Sequence, residues 1–201
     1  AHILDLQARM GEMVYLPTLW EVVHPRFEWY WEFGYEPYLM FLQLYPEAAD
    51  RLFASEAEVA RCKAAAMAEL YDELDLVPMT LIGTDICGGG GPLIAPRLLR
   101  QFYWPHVRRS LEPLREAGIP VIAIEGNHDR PRFQGELSWL DYLAEIGLLT
   151  LLGPSIEGNR LILNPWDPDT CQGAYIDLPC GLRVVGCPYY GASTSRVLRE
   201  M

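Results

Sequence analysis

The sequence predicts an α/β protein with a parallel βαβ core. Two apolar runs, LVPMTLIGTD (76–85) and IPVIAIEG (119–126), read as buried strands that each end in a polar, glycine-containing turn. Between them, APRLLRQFYWPHVRRSLEPLREAG (95–118) has the composition and spacing of a helix. Strand, helix, strand in that order, with apolar strands, is the pattern of a parallel crossover. A further observation concerns domain organisation. After residue 118 helices and aromatics give way to short strands and loops, which divides the chain into 1–118 and 119–201.

The elements follow in order. LWEVVHPRFEWYWEFGYEPYLMFLQLYPE holds three Trp, three Phe and four Tyr, a density expected of a core or of a pocket wall. From Pro46 to Leu76 the chain is rich in Ala, Glu, Leu and Arg. Ser55 with Glu58 three residues on offers a capping box, so two helices are predicted there. Residues 88–91 are four glycines and predict a flexible loop. The helix at 95–118 is expected to bend or break at Pro105 and Pro113 and to stop at Gly118. Beyond it, GELSWLDYLAEIG (135–147) predicts a short helix ending at Gly147. LLTLLG, RLILN and LRVVGCPYY predict strands, with the Pro- and Asp-rich NPWDPDT between the last two.

Composition limits the function. Of 201 residues 50% are hydrophobic and 21% charged, so the chain can bury a core and disorder is not expected. The net charge of −11 argues against binding a phosphate backbone through bulk charge, and leaves an acidic metal site open. Five cysteines with no CxxC spacing are expected to be reduced thiols in a cytoplasmic protein. No signal peptide or membrane span is visible, so no membrane partner is expected. The chain opens on Ala1 and closes on RVLREM, which reads as mid-helix, so a fragment is expected.

The chemistry concentrates at Gly126-Asn127-His128-Asp129. Ligands of α/β enzymes sit at the carboxyl ends of parallel strands. There an Asn carbonyl can ligate a metal, a His can act as acid or ligand, and an Asp can fix the His tautomer. The same residues also suit a plain surface turn. His24 and His106 read as loop and packing residues, and the GGGG run lacks the Lys-Ser/Thr of a phosphate loop.

GIPVIAIEGNHDR, together with LSWLDYLAEIGLLTLLG and IDLPCGLRVVGCPYYG, resembles the calcineurin-like metallophosphoesterases, and among them the DNA double-strand-break repair exonucleases. The resemblance implies a partial α/β sandwich over 119–201 that hydrolyses phosphodiester bonds of DNA or another phosphodiester substrate. It implies Asn127 as ligand to one of two Mn²⁺ or similar ions, His128 as the acid and Asp129 as its orienting partner. LIGTDICGG would stand in for the family's second motif, with Asp85 as a bridging metal ligand, although Thr84 parts the glycine from it and Gly88 replaces the second Asp. Asp5 with Gln7 occupies the place of the first motif. No histidine follows His128, so the downstream His motifs are absent and the expected site is incomplete.

A different resemblance covers residues 1 to about 122. GYEPYLMFLQLYPEAADRLF and GTDICGGGGPLIAPRLLRQFYWPHVRRSLEPLREAGIPVI are similar to the uroporphyrinogen decarboxylases and their cobalamin-linked methyltransferase relatives. That implies part of a (β/α)₈ barrel over 1–118, with Asp85 at a strand end facing the pocket and a lyase or methyl-transfer chemistry as the alternative function. The two resemblances meet at LREAGIPVI. Together they imply a chimera of two incomplete pieces, with marginal stability and exposed Trp and Tyr within 15–45.

Overall fold

Helix α4 (Pro46–Glu73) forms from the alanine-rich run, and as one 28-residue rod rather than the two helices predicted. Pro46 opens it, where the missing N–H costs nothing. Ala49, Phe53, Ala57, Ala60, Ala64 and Tyr71 form its buried stripe, at spacings of three, four and seven. The capping box does not form. Glu58 instead turns its carboxylate to Arg61 (2.7 Å) and to Arg109 (2.9 Å), so Ser55 stays an interior helix residue.

The computed structural model describes residues 2–11, 23–75, 83–88, 91–126, 129, 138–157, 160–179 and 181–200. These form two compact units, Ala1–Ile86 with Pro92–Ile119, and Cys87–Gly91 with Pro120–Met201. The architecture is mixed, helices with small parallel and antiparallel sheets.

The N-terminal unit is helical. Besides α4 it holds α1 (His2–Met10), α2 (Tyr30–Phe33) and α3 (Tyr35–Leu44). Short strands β1 (Cys87–Gly88), grouped with the C-terminal unit, and β2 (Gly91–Pro92) fall in the predicted glycine loop, and α5 (Pro96–Phe102) and α6 (Trp104–Glu116) follow in the N-terminal unit. The break between α5 and α6 falls at Tyr103, whose N–H still reaches Leu99 O while its carbonyl starts α6. Pro105 therefore begins a helix instead of bending one, and Pro113 is carried inside α6. Gly118 ends it as predicted. Its φ of 75° places it in the left-handed region, and Gly118 N–H to Arg115 O with Ile119 N–H to Leu114 O completes a paired C-terminal closure.

Rings fill this unit's centre. Phe53 stacks on Phe27 at 6.3 Å and on Phe102 at 5.9 Å, and meets Tyr103 edge-on at 4.9 Å. The Tyr103 hydroxyl donates to Pro25 O (2.9 Å), and the ring nitrogens of buried His24 sit 2.9 and 3.0 Å from Pro25 O and Gly83 O. His106 pairs with Asp50 (2.8 Å). Both histidines thus have hydrogen-bonding partners within this unit. The outer side of α2 and α3 is different: Trp31 is 69% exposed and Phe33 62%, with Tyr35 and Tyr45 also open to solvent. The exposed aromatics expected within 15–45 are present.

The C-terminal unit is built of short strands. β3 (Ile122–Ala123) and β4 (Thr150–Leu151) pair in parallel, with α7 (Trp139–Glu145) between them in the chain. Two antiparallel hairpins follow, β5 (Ser155–Glu157) with β6 (Arg160–Ile162), and β7 (Tyr175–Asp177) with β8 (Arg183–Val185). A 3₁₀ turn (Gly191–Ser193) leads into α8 (Thr194–Glu200). The parallel crossover among the described residues is therefore β3-α7-β4. Of the strand predicted at 76–85, residues 76–82 lie outside the described residues and 83–86 are not in a strand.

Candidate functional site

A cleft of about 690 Å³ opens at the carboxyl ends of β3 and β4. The local sequence explains its position. IPVIAIEG runs out of apolar residues at Glu125, two residues past β3. LLTLLGPS turns away at Gly153 and Pro154, just past β4. Helix α7 joins the two strands and is tightly capped at both ends. Ser138 Oγ accepts from Asp141 N–H (3.1 Å) while Asp141 Oδ2 accepts from Ser138 N–H (2.7 Å). At its other end Gly147, at φ 69°, lets Leu148 N–H reach Leu143 O, as the sequence predicts.

Both strand ends contribute to the wall: Glu125 after β3, and Leu151, Leu152 and Gly153 at the end of β4. Asp141 of α7 and Asp167, Thr170, Cys171 and Gln172 of the NPWDPDT region complete much of the rest. Asp167 is occupied in its own turn, accepting from Asp169 N–H (3.0 Å) and Thr170 Oγ1 (3.1 Å). Glu125 is half-buried, its backbone carbonyl accepts from Tyr189 N–H (2.9 Å), and its carboxylate has no protein partner among the described residues. Sequence reasoning passed over Glu125. The available signal was a charged residue at the end of an apolar strand, directly before the polar turn.

The four nominated site residues are distributed as follows. Asn127 and His128 lie outside the described residues. Asp129 is half-buried, and its Oδ2 accepts from Gly126 N–H (2.8 Å), so this carboxylate is tied back to the residue that ends the apolar run. A side chain added at Gly126 would place its Cβ 3.0 Å from that same oxygen, which suits glycine there. Asp85 belongs to the other unit. Its side chain is exposed, its N–H donates to Glu28 Oε1 (2.6 Å), and its carbonyl accepts from Tyr30 Oη (3.0 Å). The Tyr30 phenol is held far above its ordinary pKa, first by burial and then by the charge of Asp85. Asp5 is exposed on α1.

Among the described residues no three His, Cys, Asp or Glu side chains gather as a metal site. The described part of the expected Mn²⁺ site therefore does not amount to a cage. A second hollow, about 430 Å³, lies in the N-terminal unit between Trp29, Phe33, Pro37, Tyr38, Phe41 and Leu52. It is aromatic, as the decarboxylase-like resemblance would have it, but sits among α2, α3 and α4 instead of over strand ends. No helix among the described residues is long and apolar enough to cross a membrane. Cys62, Cys87, Cys171 and Cys187 are free thiols. No family model, curated protein or solved structure matches this chain significantly.

Proposed function

We propose that the C-terminal unit is a partial metallophosphoesterase sandwich and hydrolyses phosphodiester bonds with the help of a divalent ion, Mn²⁺ or similar. The observation that carries this is the placement of the cleft. It opens at the carboxyl ends of two parallel strands, and Glu125 on its wall is two residues from Asn127 in the chain. A bound ion would supply electrophilic assistance to the phosphoryl group and a more acidic water. Asn127 is the ligand assigned to it by the resemblance; Asp85, the other ligand the resemblance nominated, belongs to the N-terminal unit.

The chain's own residues perform the rest of the proposed reaction. A water oxygen forms a bond to phosphorus and releases a proton to solvent, the bond from phosphorus to the ester oxygen breaks, and His128 gives the departing oxygen a proton and regains one from solvent. Asp129, whose Oδ2 also accepts from Gly126 N–H, is the orienting partner that the resemblance assigns to His128. The products are an alcohol and a phosphomonoester.

The test is hydrolysis of bis(p-nitrophenyl) phosphate by the full chain under Mn²⁺ titration. Saturable, Mn²⁺-dependent turnover that drops at least about 100-fold in Asn127→Ala is expected. Turnover that ignores Mn²⁺ or survives Asn127→Ala would sink the proposal. One observation favours the alternative, a decarboxylase- or methyltransferase-like N-terminal unit: the aromatic hollow there, in a unit that also exposes the Asp85 side chain. Binding of a porphyrinogen or corrinoid that quenches tryptophan emission, and is lost in Phe41→Ala, would support it.

A further inference from the structure

We infer that the aromatic hollow of the N-terminal unit is a docking groove for an amphipathic, lysine- or arginine-bearing α-helix of a partner protein. Helix α3 is apolar on two sides. Tyr38 and Leu42 are buried within the unit. On the other side Pro37, Met40, Phe41 and Leu44, with Tyr45 at the helix end, recur at spacings of three and four, the stripe by which a helix meets a neighbour. That stripe is turned to solvent: Met40 is 50% exposed, and Leu44 and Tyr45 are 61% each. Phe33 of α2 and Leu52 of α4 join Pro37 and Phe41 around the hollow of about 430 Å³. Tyr45 extends the aromatic surface, its ring 6.4 Å from that of Phe41. A helix that is apolar all round is one with neighbours on every side, and a contiguous exposed apolar patch marks an interaction site where scattered residues would not.

The wall and the charge around it specify the occupant. Two polar side-chain groups belong to the wall, and both are withdrawn: Trp29 Nε1 donates to Glu56 Oε1 (2.9 Å), and the Tyr38 hydroxyl is buried. An extended peptide would leave its own N–H and C=O groups unmatched against such a surface. A helix has already paired its backbone and offers side chains alone. Across the segment that carries the stripe, Glu32, Glu36, Glu47 and Asp50 are exposed, and the chain has no Lys or Arg from 27 to 50. Glu32 pairs with Arg26 (2.6 Å) and Asp50 with His106 (2.8 Å). Glu36 stands one helical turn before Met40 and Glu47 two residues past Tyr45, so negative charge brackets the stripe at both ends. A second copy of this chain would bring acid to acid across a two-fold axis, and an anionic lipid surface would be repelled in the same way. Apolar anchors on one face with basic flanks complement both the stripe and its charge.

Binding of a fluorescein-labelled amphipathic leucine–lysine peptide to the full chain, followed by anisotropy, tests the groove. Saturable binding with a Kd on the order of 10 μM is expected. Phe33→Ala should weaken it at least about tenfold; that side chain is 62% exposed, so the fold does not depend on it. Glu36→Lys, also on the surface, should weaken it several-fold and narrow the preference over a leucine–glutamate peptide of the same pattern. Equal affinity for a scrambled peptide of the same composition, which forms no apolar face, would overturn the inference by reducing it to net charge. Affinity that Phe33→Ala leaves unchanged would overturn it too. Sedimentation velocity adds an independent check, because a dimer dispersed by Phe33→Ala would give the groove to a second copy and overturn the partner helix. Coproporphyrin binding with no peptide binding would give the hollow to the tetrapyrrole reading above, with the same result.

Discussion

The two units bury their interiors by different means. In the N-terminal unit Phe27, Phe53, Phe102 and Tyr103 are wholly enclosed, each ring touching at least one other, against the buried stripe of α4. The C-terminal unit has no buried aromatic among its described residues; Cys87, Leu143, Ala144, Leu148, Leu152, Ala174, Pro188 and Val197 are its buried apolar side chains there. Its order comes from two- and three-residue strand pairs and from cross-links such as Gly153 N–H to Gly173 O and Gly186 N–H to Ala174 O, both 2.8 Å. Buried area is large and non-directional, while a hydrogen bond adds only about 1 kcal/mol net but fixes geometry. The unit that buries less is the one with the polar cleft, which accords with the low local stability expected of ligand-binding segments.

The sharpest way to break that contrast is to remove a ring. Phe53 contacts three other aromatics and is fully buried, so Phe53→Ala should cost the N-terminal unit about 3–5 kcal/mol. Urea denaturation followed by far-ultraviolet dichroism, with hydrogen exchange to localise the change, checks it. Protection should fall in α4, α5 and α6 and hold in α7. Equal loss in both units would mean that they fold as one, and that the contrast has no energetic meaning.

Alkali should separate the units next. Burial, foremost, pushes the Tyr38 and Tyr103 phenols far above their ordinary value; the neighbouring Tyr103, Glu56 and Glu28 add to this for Tyr38, and Glu28 and Glu56 for Tyr103. A phenol whose folded pKa is raised favours the folded state fully below its unfolded pKa of about 10, and that contribution is lost as pH rises above it. The N-terminal unit should therefore unfold cooperatively above about pH 10. Tyrosinate absorbance at 295 nm should rise together with the loss of helix. Phenolate appearing smoothly with helix intact would show that these hydroxyls reach water.

What the sequence could reveal follows the same division. Features set by near neighbours were legible: the helices at 46–73 and 96–116, the glycine stops at 118 and 147, and the short strands near 122, 150, 160 and 183. The false capping box at Ser55 and Glu58 shows the limit. A Ser and a Glu three apart satisfy that pattern anywhere, and only the arginines Arg61 and Arg109 decide that Glu58 faces sideways. At the candidate site, the end of the apolar run at Glu125 and Gly126 could be read from the sequence, and Asp129 accepts from Gly126 N–H. The cleft could not, because its wall combines Glu125, Asp141 and Asp167, which are far apart in the chain and meet only through the β3-β4 pairing and the loop beyond β6.

The smallest effect sharpens the comparison inside the C-terminal unit. Ser138 is buried and caps α7, exchanging hydrogen bonds with Asp141 on both sides of the box. Ser138→Ala removes the acceptor for Asp141 N–H and should cost about 1 kcal/mol. In the N-terminal unit, a loss of that size would be hidden within a ring-packed core. In the C-terminal unit it frees the first turn of α7, and with it the Asp141 carboxylate on the cleft wall. Amide exchange should therefore speed several-fold at residues 139–142, with no change in α4. If α7 keeps its protection, the cap is dispensable. In that case β3-β4 pairing and the Gly147 closure would hold the helix in place, and with it the geometry of the cleft.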